Sequence, residues 1–264
     1  MAISHKRCSI IALIYTGLVI PANANADGVS PTANWSKRWR STVEFRLNPS
    51  KTESLDPNGD RWSLATGAFL GDFERAYSNY SRLYAFSPDG TEVAMAQGDG
   101  ILRIYSYPGG DLLKEITNLS TPVQEIEYTP DGQRFLVSFQ GSNAIMYNRF
   151  LPTIDFVMSG ALGPLAFSTD GTEFASDFLT SLRRYDASNG SLIETINTPA
   201  FGTAWGARDI AYLSNGDILS VVIETVFTGE FEEPFPTLNY FDIGPSSSLA
   251  WSAQSSLFGD SGYV

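Results

Sequence analysis

One five-residue pattern recurs down this chain. Phe86-Ser87-Pro88-Asp89-Gly90 returns as Tyr128-Thr129-Pro130-Asp131-Gly132, as Phe167-Ser168-Thr169-Asp170-Gly171 and as Tyr212-Leu213-Ser214-Asn215-Gly216. An aromatic residue stands four positions before each glycine, and successive glycines are 42, 39 and 45 residues apart. A period of this length constrains the fold more than composition does. Each unit must be one supersecondary motif that cannot bury its apolar face alone and stacks against its neighbours.

The residues around the pattern say what the motif is. Asp-Gly and Asn-Gly accept the positive φ that a tight hairpin turn needs. Short apolar segments precede the turns (Leu83 to Phe86, Ile126 to Tyr128). Others follow them (Glu92 to Ala96, Arg134 to Phe139, Glu173 to Ser176, Ile218 to Val222). A third segment ends near an aromatic: Leu102 to Tyr105, Ala144 to Tyr147, Leu182 to Asp186, Leu238 to Asp242. A fourth is clearest at Leu112 to Ile116 and Leu192 to Ile196, each entered through a glycine turn at Gly110 or Gly190. Four short strands per unit, with no long helical periodicity, predict an all-β fold.

The units resemble WD40-type β-propeller blades, in the PD40 form whose turn reads Ser-Pro-Asp-Gly. Tyr185-Asp186 sits where that family usually has Trp-Asp, and Tyr105-Ser106 and Tyr147-Asn148 are looser versions. The family's Gly-His pair has no counterpart in the repeats, so its histidine-centred network is not expected. The resemblance covers residues 80–252 and implies a propeller of four-stranded blades, small or incomplete; it is nearly silent on activity. The pattern restarts at Phe258-Gly259-Asp260-Ser261-Gly262, so a further partial repeat begins near residue 256. Two arrangements follow. Thr42 to Leu47 pairs beside the C-terminal strand and closes a ring of five or six blades, or the blades form an open array.

The N-terminus reads as a leader. Lys6-Arg7 is basic, Ser9 to Ile20 is apolar, and Ala24-Asn25-Ala26 is a small-x-small cleavage site, which together mark residues 1–26 as a signal peptide and 27–264 as the propeller domain. The expected location is secreted or periplasmic. The apolar run is too short for a confident membrane span, and none is expected in the mature chain. His5 and Cys8, the single histidine and the single cysteine, fall inside the leader. The mature chain would then have no imidazole for a Ser-His-Asp triad and no thiol for a disulfide. The whole chain has 17 basic and 29 acidic residues, net −12. That balance argues against nucleic acid and anionic lipid as partners.

No residue set points to catalysis, a cofactor or a metal. Asp56-Pro57-Asn58-Gly59-Asp60 has the alternating oxygens of a Ca2+ loop, but Arg61 stands where such a loop needs glycine. An Asx-rich turn is the better reading. Arg183 and Arg184 are adjacent on a strand and point to opposite faces. The candidate binding element is the insertion Thr225 to Thr237 between the second and third strands of the fourth repeat. It carries Phe227, Glu230, Phe231, Glu232, Glu233 and Phe235. Loops on rigid scaffolds are where function concentrates. The expected role is therefore a non-enzymatic scaffold binding an unidentified protein or peptide. The alternative is an exported propeller hydrolase or oxidoreductase that works without histidine or cysteine.

Overall fold

The computed structural model describes residues 10–12, 43–56, 59–73, 83–96, 99–119, 123–139, 143–151, 153–160, 164–178, 181–197, 203–227, 232–244 and 248–254. Within these, 10–12, 43–45, 177–178, 203–209, 221–241 and 249–254 are described by backbone alone. They form five antiparallel sheets. The first holds β1 (Ile10–Ala12), β2 (Val43–Leu47), β3 (Glu53–Leu55), β4 (Asp60–Ser63) and β5 (Phe69–Asp72). The second is β6 (Leu83–Phe86), β7 (Glu92–Ala96), β8 (Leu102–Ser106) and β9 (Leu112–Ile116). The third is β10 (Val123–Tyr128), β11 (Arg134–Phe139), β12 (Asn143–Asn148) and β13 (Ile154–Ser159). The fourth is β14 (Leu165–Phe167), β15 (Glu173–Phe178), β16 (Ser181–Asp186) and β17 (Leu192–Asn197). The fifth is β18 (Thr203–Tyr212), β19 (Ile218–Phe227), β20 (Glu232–Asp242) and β21 (Ser248–Gln254).

The all-β fold of four-stranded blades is what the repeat predicts. Gly90, Gly132, Gly171 and Gly216 each join the first two strands of a blade, with φ of 70°, 69°, 75° and 92°. Each blade is a meander, so the turns after its first and third strands share one end and the turn after its second lies at the other. Counting the first blade from β2, with β1 added at its free edge, first strands pack against one another, β2 on β6, β6 on β10, β10 on β14 and β14 on β18. The fourth strands β9, β13 and β17 are mostly exposed.

Apolar residues fill the spaces between blades. One cluster joins the first two blades through Leu55, Phe73, Tyr84, Val93, Met95 and Tyr105. The next, between the second and third, includes Ile104, Ile126, Phe135 and Tyr147. Leu136, Met146, Leu165 and Phe174 fill the third junction, and Ala175, Leu182, Ile210 and Tyr212 the fourth. Burial between like faces of successive repeats is the stabilising term such architectures rely on.

One expectation is overturned. Val43–Leu47 does not pair beside the C-terminal strand; its partners are β1 and β3, in the first sheet. The physical reason lies in residues 47–53, which repeat the turn with other side chains. Asn48 N donates to Glu53 O at 3.0 Å and Lys51 N to Asn48 O at 2.8 Å, as Ser87 N does to Glu92 O and Gly90 N to Ser87 O. Lys51 takes the positive φ, 55°, of the missing glycine. The segment therefore builds a blade of its own. Gly59 is also in a turn, but between the second and third strands of that blade. Phe258 lies outside the described residues.

Candidate functional site

The recurring Asp-Gly turn is a structural device. Ser87 Oγ donates to Asp89 Oδ1 at 2.7 Å and accepts from Glu92 N at 2.9 Å, while Asp89 Oδ1 accepts from Thr91 N at 3.1 Å. Thr129 and Asp131, then Ser168 and Asp170, repeat these bonds. In the first blade Asn48 Oδ1 does the work alone, accepting from Thr52 N and Glu53 N. The consequence is electrostatic. The Thr172 N–H and the Ser168 hydroxyl hold the Asp170 carboxyl below its ordinary range. For Asp131, burial opposes ionisation, but the Thr129 hydroxyl and Gln133 N–H outweigh it and the shift is again downward. These carboxylates are occupied by their own turns.

A second set of polar residues locks blade to blade at that same end. Arg149, whose side chain is 6% exposed, follows the third strand of the third blade. It donates from Nε to Glu92 at 2.9 Å, from Nη1 to Asp89 at 2.9 Å and from Nη2 to Thr91 Oγ1 at 3.0 Å, all on the second blade. The guanidinium, above all, holds the Asp89 carboxyl well below the usual carboxylate range. Tyr107 occupies the matching position of the second blade and its hydroxyl donates to Glu53 of the first. Burial opposes ionisation of Glu53, but the bonds from Tyr107 and Arg61 prevail and lower it. In the fourth blade the position is Ala187, and its carbonyl accepts from Arg134 of the third at 2.8 Å. Arg46 on β2 meets Glu125 on β10 at 2.6 Å, joining the first strands of the first and third blades. None of these roles was read from the sequence. The signal is a register: positions 53, 92, 134 and 173 follow the first turn, and 107, 149 and 187 follow the third strand.

The other motifs have local explanations. Asp56 is fully buried and its carboxylate accepts from Asp60 N and from Trp62 Nε1, which ties it to the start of the next strand. Arg184 pairs with Glu173 and Glu194 in its own sheet, whereas Arg183 donates to Gly160 O of the preceding blade. Among the described residues no group of three or more His, Cys, Asp or Glu could hold a metal.

The insertion is no irregular link. β19 and β20 run in unbroken antiparallel register from Ile218↔Phe241 to Phe227↔Glu232, so the added residues extend a hairpin. Glu233 pairs with Val226 and Phe235 with Glu224. Glu230 and Phe231 lie outside the described residues. β21 reaches only to Thr237, so Glu232–Pro236 extends beyond it. Pro234 and Pro236 remove two N–H donors from this strand, two positions apart, which guards an edge against added strands. The hairpin leaves the blade at the end opposite the Asp-Gly turns.

Comparison with known proteins agrees with this architecture. The solved chain described as Kuenenia stuttgartiensis hydrazine synthase superposes with a TM-score of 0.62 at 15% identity, covering 81% of this chain and 63% of that one. The β-propeller domain of Cps50 (Swd1) from Myceliophteria thermophila gives 0.62 at 12% identity, over 80% and 72%. A WD repeat-containing protein of Synechocystis sp., itself uncharacterized, is 36% identical over 58 residues. This chain has the fold of a WD40-like β-propeller. The Synechocystis match spans 22% of the propeller chain and 17% of its relative, and no family model matches. At these identities the solved structures speak for the fold alone. No helix among the described residues is long and apolar enough to cross a membrane.

Proposed function

We propose that this propeller is an exported interaction scaffold that binds a protein or peptide through the β19–β20 hairpin and the residues at its tip. The observation that carries the reading is the hairpin itself. Elsewhere the described blades keep strands of three to six residues; here β18, β19 and β20 run for 10, 10 and 11, and β19–β20 continues past the last β18 pair at Thr225. An in-register hairpin of that length is a rigid arm, and its two prolines discourage indiscriminate strand addition. Phe227, Glu230, Phe231, Glu232, Glu233 and Phe235 give it aromatic and acidic chemistry suited to a cationic, apolar partner segment. The charged residues at the opposite end support this choice indirectly, since turns and junctions already engage them.

Export is part of the proposal. The first sheet has five strands and each of the others four. Cleavage after Ala26 would remove β1 and leave four strands in every sheet. N-terminal sequencing of the secreted or periplasmic protein should begin at or near Asp27. An intact Met1 in a soluble cytoplasmic pool would refute export.

The binding reading is tested by replacing residues 226–233, which lie beyond the last pair with β18, with a two-residue Asn-Gly turn. The trimmed protein should keep its melting temperature and lose whatever partner co-purifies with the full chain. Undiminished capture of that partner by the trimmed protein would refute the assignment.

A further inference from the structure

The first sheet has an added strand that the repeat does not account for. β1 ends the order β1-β2-β3-β4-β5 and runs antiparallel to β2, with Ile10 opposite Phe45, Ile11 opposite Glu44 and Ala12 opposite Val43. On the other side of β2, β3 pairs with Arg46 and Leu47 alone. Among the described residues, the backbone of residues 43–45 therefore has β1 as its one strand partner. Each of these residues brings an N–H and a C=O that must be bonded. A strand edge that offers such groups is a template for another strand.

The other half of β2 is held without β1. Arg46 reaches Glu125 of β10 at 2.6 Å, and Asn48 closes the turn into β3 by accepting from Thr52 N and Glu53 N. Loss of β1 thus bares residues 43–45 on a strand whose far end stays fixed. A later blade treats its first strand differently. Glu127 of β10 accepts from Phe167 N of β14 at 3.5 Å, so a carboxylate of the preceding blade takes an amide of that strand. At residues 43–45 the same service is done by a strand.

We propose that Val43–Phe45 is a strand-accepting site for a partner protein, and that it takes an extended apolar segment preceded by basic residues in the place that β1 holds. What is seated there selects the occupant. Ile10-Ile11-Ala12 is an uncharged extended strand, and Lys6 and Arg7 precede it in a chain of net charge −12. An acidic protein favours a cationic flank on its partner, and main-chain bonds supply the affinity in strand addition. The site rests on the export reading: cleavage after Ala26 removes β1, so the segment that blocks the site before export leaves it open afterwards. It is separate from the β19–β20 hairpin, and trimming that hairpin should leave it intact.

The test is fluorescence anisotropy of a labelled peptide, residues 5–15 with Cys8→Ser, against three proteins. These are the full chain, the full chain with Ile10→Pro and Ile11→Pro, and the exported protein that begins near Asp27. Successive residues of a strand turn their N–H groups to opposite edges, so one of the two prolines removes a donor that faces β2. The double-proline chain and the exported protein should bind the peptide saturably. The wild-type chain should bind at least about tenfold more weakly, because a tethered strand competes at an effective concentration far above that of the probe. A peptide carrying the same two prolines should bind none of the three. Cysteine trapping adds geometry: in the double-proline chain with Cys8→Ser, an Ile11→Cys peptide should cross-link to Glu44→Cys, the residue opposite, and not to Glu115→Cys on β9. Equal binding by the wild-type and double-proline chains, no binding by either opened protein, or cross-linking at Glu115→Cys alone would overturn the proposal. Exported protein with an intact Met1 would refute export alone, since the double-proline chain still reports on residues 43–45.

Discussion

The junction between the second and third blades and the junction between the third and fourth solve the same packing problem by different chemistry. The earlier one closes on Arg149, which reaches Asp89, Glu92 and Thr91 across the gap. The later one has Ala187 at that position and closes by fit. A Cβ on Gly190 would lie 2.7 Å from both Phe156 and Met158 of the third blade, and one on Gly171 would lie 3.2 Å from Pro130. Arg134 and Arg183 reach across it to backbone carbonyls instead of carboxylates. The repeat thus conserves the shape of the contact and not its residues. Ion pairs between blades are one way of filling a space that apolar packing fills equally well.

The largest expected effect breaks the packed junction. Gly190→Val adds bulk where no room exists and places a β-branched residue at φ of 74°. Overpacking and backbone strain together should cost about 3–5 kcal/mol, read as a fall in the urea midpoint. A loss under about 1 kcal/mol would mean that this junction is loosely packed.

Breaking the ionic junction should cost less. Arg149→Met keeps most of the side-chain volume but leaves Glu92 and Asp89 without their cation. Because Asp89 is half exposed, the expected loss is about 2–3 kcal/mol, below the full cost of stranding a buried charge. A double-mutant cycle of Arg149→Met with Asp89→Asn should show coupling of roughly 0.5–1.5 kcal/mol, and the same cycle with Glu173→Gln about zero. At the packed junction, Arg134→Met removes a single charge-assisted bond to Ala187 O and should cost about 1 kcal/mol.

This contrast also explains what could be read from the chain. The Asp-Gly turns were legible because their chemistry is local: residues 87–92 supply every partner they need. The first blade was not, because Leu47 stands in place of the aromatic, Lys51 in place of the glycine and Asn48 in place of the serine. The bonds survive while the letters change. The fourth strand of the third blade was obscured in the same way, by Phe150-Leu151 where other blades have a glycine turn. Arg149 was invisible for another reason. Its partners lie 57 and 60 residues away, and only the spatial neighbourhood of successive blades brings them together. The candidate hairpin was legible as an insertion, but its unbroken register follows from pairing that residue types alone do not dictate.

The smallest expected effect is the pH dependence of the ionic junction, and its sign is fixed. Asp89 is shifted below its unfolded value, first of all by Arg149. A carboxyl depressed in the folded state adds stability above its unfolded pKa of about 3.9 and loses it as pH falls through the folded value. Wild type should therefore be more stable than Asp89→Asn near neutrality, and the gap should close as the pH falls below about 4. Half of the Asp89 side chain is open to solvent, so screening should keep this pH-dependent part of the gap under about 1 kcal/mol, and smaller still at high salt. Asp131 and Asp170 are lowered by bonds within their own turns, so they contribute to acid sensitivity in both proteins and cancel in the difference. Arg149→Met should remove most of the gap at every pH, because the cation that lowers Asp89 is gone. Urea midpoints of wild type, the two single variants and the double variant at pH 7 and pH 3 decide the matter. A gap that persists unchanged at pH 3, or survives in the Arg149→Met background, would mean that Asp89 stabilises its own turn and contributes nothing across the junction.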